Sequence, residues 1–95
     1  MNFLEKYGFV KEDIDEFMNN TPKKMIDELE KHSQLVETNL RYLKKLGTEV
    51  YKEIFINYPD MFLLDASTFE NRFSQYEADE LLKSLNNNFK VVEYL

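Results

Sequence analysis

The feature that most constrains this chain is a punctuation written twice. YGFVKEDIDEFMNNTP (Tyr7 to Pro22) passes from Gly8 through an amphipathic segment to Thr21-Pro22, and LGTEVYKEIFINYP (Leu46 to Pro59) passes from Gly47 through another to Pro59. A glycine that ends a helix takes the left-handed backbone that other residues avoid. A proline has no N–H to donate and is tolerated in the first helical turn. Gly, amphipathic segment and Pro in that order therefore predict a corner, a short helix, a stop and a new helix. EDIDEFMNNTPKKM (Glu12 to Met25) and YKEIFINYPDMFLL (Tyr51 to Leu64) play the same part, and DELLKSLNNNFKVV (Asp79 to Val92) reads as a third copy, with Phe89 in place of the proline. A recurrence of roughly 30–40 residues marks helical units that cannot bury their apolar faces alone and stack on one another.

The intervening segments read as helices by their spacing. Phe3 to Tyr7 predicts a short helix closed by Gly8. Acids from Glu12 to Glu16 suit a helix N-terminus, and Ile14, Phe17 and Met18 give that helix one apolar face. Thr21 is the expected N-cap of the next helix, with Pro22 in its first position. Met25, Leu29, His32, Val36, Asn39, Leu43 and Leu46 recur at spacings of three and four, widened by Ile26 and Leu40, and predict one long helix from Pro22 to Leu46. A break at His32-Ser33, with Ser33 as a fresh cap, is the alternative. Thr48 is expected to cap the short helix carrying Val50, Tyr51, Ile54 and Phe55. Asp60 to Leu64 reads as a helical turn pressed into the core. Ser67-Thr68-Phe69-Glu70 has the form of a capping box, and a second box at Ser74–Glu77 with a phase shift to Ala78, Leu81, Leu82 and Leu85 predicts a break near residue 76. Asn86-Asn87-Asn88 reads as the stop of the last amphipathic helix.

The pattern apolar-x-x-apolar-Gly, short helix, x-Pro, apolar pair, longer helix, x-x-Leu-Gly resembles the mTERF repeat of the mitochondrial transcription termination factors. Leu4, Tyr7, Gly8, Ile14 and Pro22 carry it in the first unit. Leu40, Leu43, Leu46, Gly47, Ile54, Pro59, Phe62 and Leu63 carry it in the second. The resemblance covers most of the chain. It implies a right-handed stack of helical hairpins whose concave face binds double-stranded DNA or RNA. Together with the spacing, it predicts an all-α fold, a short α-solenoid of stacked helical hairpins with about five to six helices. One domain, 1–95, would hold about two and a half repeats, approximately 4–42, 43–76 and a partial 77–95. Gly8, Pro22, Gly47 and Pro59 are its structural marks.

Charge bears on partners. The net charge of −6 speaks against a strongly basic nucleic-acid binder, but it is uneven. Residues 1–22 carry −3, residues 23–52 carry +2 and residues 53–95 carry −5. A phosphate-binding strip would draw on Lys23, Lys24, Lys31, Arg41, Lys44, Lys45 and Lys52. Lys24, Lys31, Arg41, Lys45 and Lys52 would share one side of a continuous long helix. The other reading is a solvated face, since Asp27, Glu28, Glu30 and Glu37 are interspersed.

No catalytic chemistry is written in the chain. His32 is the single histidine and there is no cysteine, so no Ser/His/Asp or Cys/His set and no metal site is expected. It reads as a polar residue in the core stripe or at a helix boundary. EDIDE and EADE lack the spacing of a calcium loop and read as solvated helix starts. No glycine-rich phosphate loop is present, and no cofactor or small-molecule substrate is expected. Phe55, Tyr58, Phe62, Phe69, Phe73 and Tyr76 read as core, with a base-stacking or partner-binding patch as the alternative. No apolar run nears the ~18 residues of a membrane span, and the acid-rich N-terminus is unlike a secretory or mitochondrial leader. The expectation is a cytoplasmic, non-enzymatic binding module. Its partner is nucleic acid by resemblance, or a protein docked on a groove or end face, which the acidic charge favours. Self-association through open ends is a further expectation.

Overall fold

A computed structural model describes Met1 to Leu95. It is all-helical: α1 (Lys11–Asn20), α2 (Lys23–Lys31), α3 (Ser33–Leu46), α4 (Tyr51–Asn57), α5 (Ala66–Ser74) and α6 (Ala78–Asn87). Three 3₁₀ segments accompany them: η1 (Asn2–Tyr7) before α1, η2 (Pro59–Leu63) between α4 and α5, and η3 (Phe89–Tyr94) after α6. The chain thus has more helical segments than the five to six expected, since the long helix is split at His32, the turn foreseen at Asp60–Leu64 forms η2 and the final FKVVEY forms η3.

Both glycine corners are left-handed, Gly8 at φ 88° and Gly47 at φ 99°. The long helix is not continuous. His32, at φ −110° and ψ 36°, separates α2 from α3. The ladder nearly survives, because His32 N–H donates to Glu28 O at 3.1 Å and Val36 N–H to His32 O at 3.0 Å. The apolar stripe therefore crosses the bend intact: Leu29, Val36, Leu40 and Leu43 are fully buried on either side of it.

Several caps differ from their sequence expectation. Ser33 is already inside α3, and no side chain caps that helix. Pro22, rather than Thr21, precedes α2. Val50 precedes α4, but Thr48 still serves that turn, its Oγ1 accepting from Val50 N–H at 3.3 Å. Asp65, not Ser67, caps α5: its carboxylate accepts from Thr68 N–H at 3.2 Å and from the hydroxyls of Ser67 and Thr68 at 2.7 and 2.6 Å. A charged carboxylate offers two oxygens and more acceptor sites than a neutral hydroxyl, so the upstream residue wins. Those bonds hold the Asp65 carboxyl below its ordinary 3.8, at about 2. Glu77 caps α6, accepting from Glu80 N–H at 2.8 Å.

α3 is the hub, packing against η1, α2, α4, η2 and α5. The core is aromatic and continuous. Phe17 meets Phe55 at 5.0 Å between ring centres, Phe55 meets Phe62 at 5.1 Å, Phe62 meets Phe69 at 5.0 Å and Phe69 meets Phe73 at 5.1 Å. Such pairs add to area burial. Asn39 and Thr48 are the buried polar residues; Asn39, fully buried, donates through Nδ2 to Phe62 O at 3.1 Å and to Leu64 O at 2.8 Å. It ties α3 to the end of η2, whose last carbonyls lack helical partners. The Cα radius of gyration is 12.8 Å. A compact domain of this length is expected near ~12 Å, so the chain closes on one core.

Candidate functional site

Two surfaces carry chemistry beyond packing. The first is the corner at Gly8. Tyr7 is buried there with its hydroxyl facing α3; Oη donates to Glu37 at 3.0 Å and accepts from Arg41 Nη2 at 3.3 Å. Lys6 Nζ lies 3.5 Å from the same Glu37 carboxylate. Tyr51, from α4, donates its hydroxyl to the Tyr7 carbonyl at 2.5 Å. Lys44 Nζ stands 5.9 Å from the centre of the Tyr51 ring, within cation–π range. Burial and then the charge of Glu53 push the Tyr51 phenol above its ordinary pKa, so it stays a neutral donor. Lys52 approaches from the same helix: a side chain on Gly8 would start 3.0 Å from Tyr51 Oη and 3.7 Å from Lys52 Cε.

Of the seven expected phosphate-binding residues, this corner gathers Arg41, Lys44 and Lys52. Lys45 is exposed on α3 four residues beyond Arg41. Lys23, Lys24 and Lys31 are exposed on α2, across the His32 bend. The single side foreseen for Lys24, Lys31, Arg41, Lys45 and Lys52 rested on a continuous helix, and that helix is broken. Glu37 sits beside Arg41, one turn away, and interrupts the positive charge. None of the seven forms an ion pair; the three pairs present are the N-terminus with Glu30, Lys6 with Glu37, and His32 with Glu28. His32 is exposed at the α2–α3 boundary, its Nε2 3.6 Å from Glu28.

The second surface is a groove between α6 and η3, with a volume of about 280 Å³. Tyr76, Glu77, Glu80, Leu81 and Ser84 line one side, and Val91, Tyr94 and Leu95 line the other. Glu77, Glu80, Leu81 and Ser84 fall at i, i+3, i+4 and i+7, one stripe along α6. Its length is about 10 Å. Tyr76 is 43% exposed and Tyr94 85% exposed, and no element of the chain covers either. Large aromatic side chains are thus left open at one end of a small core. Val10 and Met18, at 52% and 38%, are the other large apolar groups in solvent.

Tyr76, expected as core with a patch as the alternative, is exposed and lines the groove. Phe55, Phe62, Phe69 and Phe73 are core, and Tyr58 is half-buried with its hydroxyl donating to Glu93 at 2.5 Å. The groove itself was missed. Its signal was the α6 stripe ending in Ser84 rather than an apolar residue, which leaves one face of that helix unfilled. Asn86, read only as a helix stop, reaches back to the Gly47 corner. Its Oδ1 accepts from Thr48 Oγ1 at 3.0 Å and from Glu49 N–H at 2.9 Å.

No helix is long and apolar enough to cross a membrane. No protein-family model, curated protein or solved structure matches the chain.

Proposed function

We propose that the chain is a non-enzymatic helical-repeat module that docks a protein partner at the open end formed by α6 and η3. The observation that carries this reading is the groove flanked by exposed Tyr76 and Tyr94. Aromatic anchors around a concave apolar surface are what protein interfaces use.

The order of elements supports a repeat. α3, Gly47, α4, Pro59 and η2 are followed by α5, a corner, α6, Asn88 and η3. η1, Gly8, α1 and Pro22 supply the first unit. In this reading the mTERF-like pattern describes a short α-solenoid of units near 4–42, 43–76 and a partial 77–95. An end unit of such an array exposes the face that a neighbour would bury.

The test is a displayed library of helical peptides selected on the folded protein and counter-selected on Tyr94→Ala. Peptides that bind the parent and lose the variant are the expected result. No enrichment, or binders indifferent to Tyr94, would remove the reading.

A second reading, nucleic-acid binding, draws on one observation: Arg41, Lys44 and Lys52 gather without carboxylate partners at the Gly8 corner. The net charge of −6 opposes it. Fluorescence anisotropy with duplex DNA, duplex RNA and single strands at about 50 and about 200 mM salt decides it, since phosphate-driven binding falls steeply with salt. The comparison is a variant with all three cations changed to Glu. Absence of binding at the lower salt eliminates this reading.

A further inference from the structure

We infer that the α6–η3 groove takes a basic amphipathic α-helix of a partner protein, its apolar face on Leu81, Val91 and Tyr94 and its cations beside Glu77 and Glu80. This rests on the protein-docking reading above and names the partner's chemistry.

The shape of the occupant comes from the other two corners. At Gly8 the corner is covered by a later helix, α4: Tyr51 Oη donates to the Tyr7 carbonyl, and Lys52 closes over the glycine. At Gly47 the corner is again covered by a later helix, α6. Leu82 Cδ1 lies 3.8 Å from where a Gly47 Cβ would stand, and Asn86 accepts from Thr48 and Glu49. Each of these two corners between successive helices thus receives a later helix. The third such corner joins α5 to α6 at Gln75–Glu77, and the groove opens beside it, at Tyr76 and Glu77. The α6 stripe Glu77, Glu80, Leu81, Ser84 is about two turns long, the footprint of a helix read through anchors at i, i+3 or i+4, and i+7.

The charge of the occupant comes from the rim. Glu77 and Glu80 line the groove, and neither forms an ion pair within the chain. Residues 53–95 carry −5. A second copy of this chain is a poor match. Its other exposed large apolar groups are Met18 on α1 and Val10 just before it, and α1 carries Glu12, Asp13, Asp15 and Glu16. Acid would face acid, which costs binding.

The test uses the whole 95-residue chain and two labelled synthetic helices with the same Leu face, one flanked by Lys and Arg and one by Glu. Anisotropy titrations are run at low and moderate salt on the parent, Glu80→Lys and Tyr94→Ala, each checked by circular dichroism. Glu80 contributes only its backbone N–H to the α6 cap, and Tyr94 is almost fully in solvent, so both variants keep the fold. The basic helix is expected to bind at least tenfold more tightly than the acidic one. Glu80→Lys should weaken it by roughly tenfold, the scale of turning an attractive exposed pair into a repulsive one. Tyr94→Ala should weaken both helices. Equal affinity for the two helices, with loss in Tyr94→Ala, overturns the inference and leaves the docking reading standing. Failure of both helices to bind overturns the inference, and the library selection then judges the docking reading alone. Concentration-dependent dimerisation that Tyr94→Ala abolishes would assign the groove to a second copy and overturn it as well.

Discussion

Replacing Asn39 by Leu isolates the polar link between α3 and the end of η2. Leu keeps the branching and heavy-atom count of Asn with bulkier methyl groups, so it opens no cavity. Two donors vanish: those to Phe62 O at 3.1 Å and Leu64 O at 2.8 Å. A carbonyl left buried without a donor costs about 1–3 kcal/mol, and the Leu64 carbonyl, nearer solvent, sits at the low end of that range. Against this, Asn39 Oδ1 is itself buried with no partner, and its removal returns about 1 kcal/mol. The net expectation is destabilisation by about 2 kcal/mol. For a domain of this size each kcal/mol lowers Tm by about 4–8 °C, so thermal unfolding should begin roughly 8–16 °C lower. Urea titration should show a lower midpoint with an unchanged slope. Hydrogen exchange should quicken first in η2, whose end Asn39 holds. A Tm within about 2 °C of the parent would refute the reasoning, because the two bonds would then add nothing beyond shape.

The two glycines should respond unequally to Ala. Both stand at positive φ, worth about 1–2 kcal/mol against a side chain, but only at Gly8 would the new Cβ meet an atom at 3.0 Å, the Tyr51 hydroxyl; Gly8→Ala should therefore lose more stability than Gly47→Ala in urea titrations, and the reverse order would contradict the corner geometry. Asp65 has its carboxyl held down to about 2 from 3.8, so its contribution is present above about pH 4 and is lost as pH falls toward 2; Asp65→Asn should flatten the acid limb of stability over that window in unfolding curves taken every half pH unit. The Tyr58 phenol, hydrogen-bonded to Glu93, is pushed up to about 12, so the ultraviolet titration of Tyr58→Phe should lack the last tyrosine to ionise.

What was legible in the sequence was whatever sterics dictate locally. Gly8 and Gly47 announced left-handed corners, and the stripe through Leu29, Val36, Leu40 and Leu43 announced the core face of α2 and α3. The bend at His32 was left open, and for a physical reason. No Gly or Pro marks it, the stripe runs through it in register, and the ladder on either side is kept. The basic strip was expected on one continuous helix, and the bend divides its members, Lys23, Lys24 and Lys31 on α2 and Arg41, Lys44 and Lys45 on α3. The cap of α5 was misplaced because Ser67-x-x-Glu70 has the capping-box form and Asp65-x-x-Thr68 lacks its Glu or Gln, yet three donors gather on Asp65. The groove was out of reach. Glu80 and Tyr94 come together through the turn between α6 and η3, and periodicity within α6 alone does not report what covers its outer stripe.

The measurement that tests the central claim most directly is a ¹⁵N–¹H NMR titration of the whole chain with the basic synthetic helix and, separately, with duplex DNA. The account predicts that the helix shifts the amides of Tyr76, Glu80, Ser84, Val91 and Tyr94, and that the duplex at about 150 mM salt leaves the spectrum unchanged, as expected where phosphate contacts are few. Shifts confined to Arg41, Lys44 and Lys52 with the duplex, and none along α6 and η3 with the helix, would contradict it.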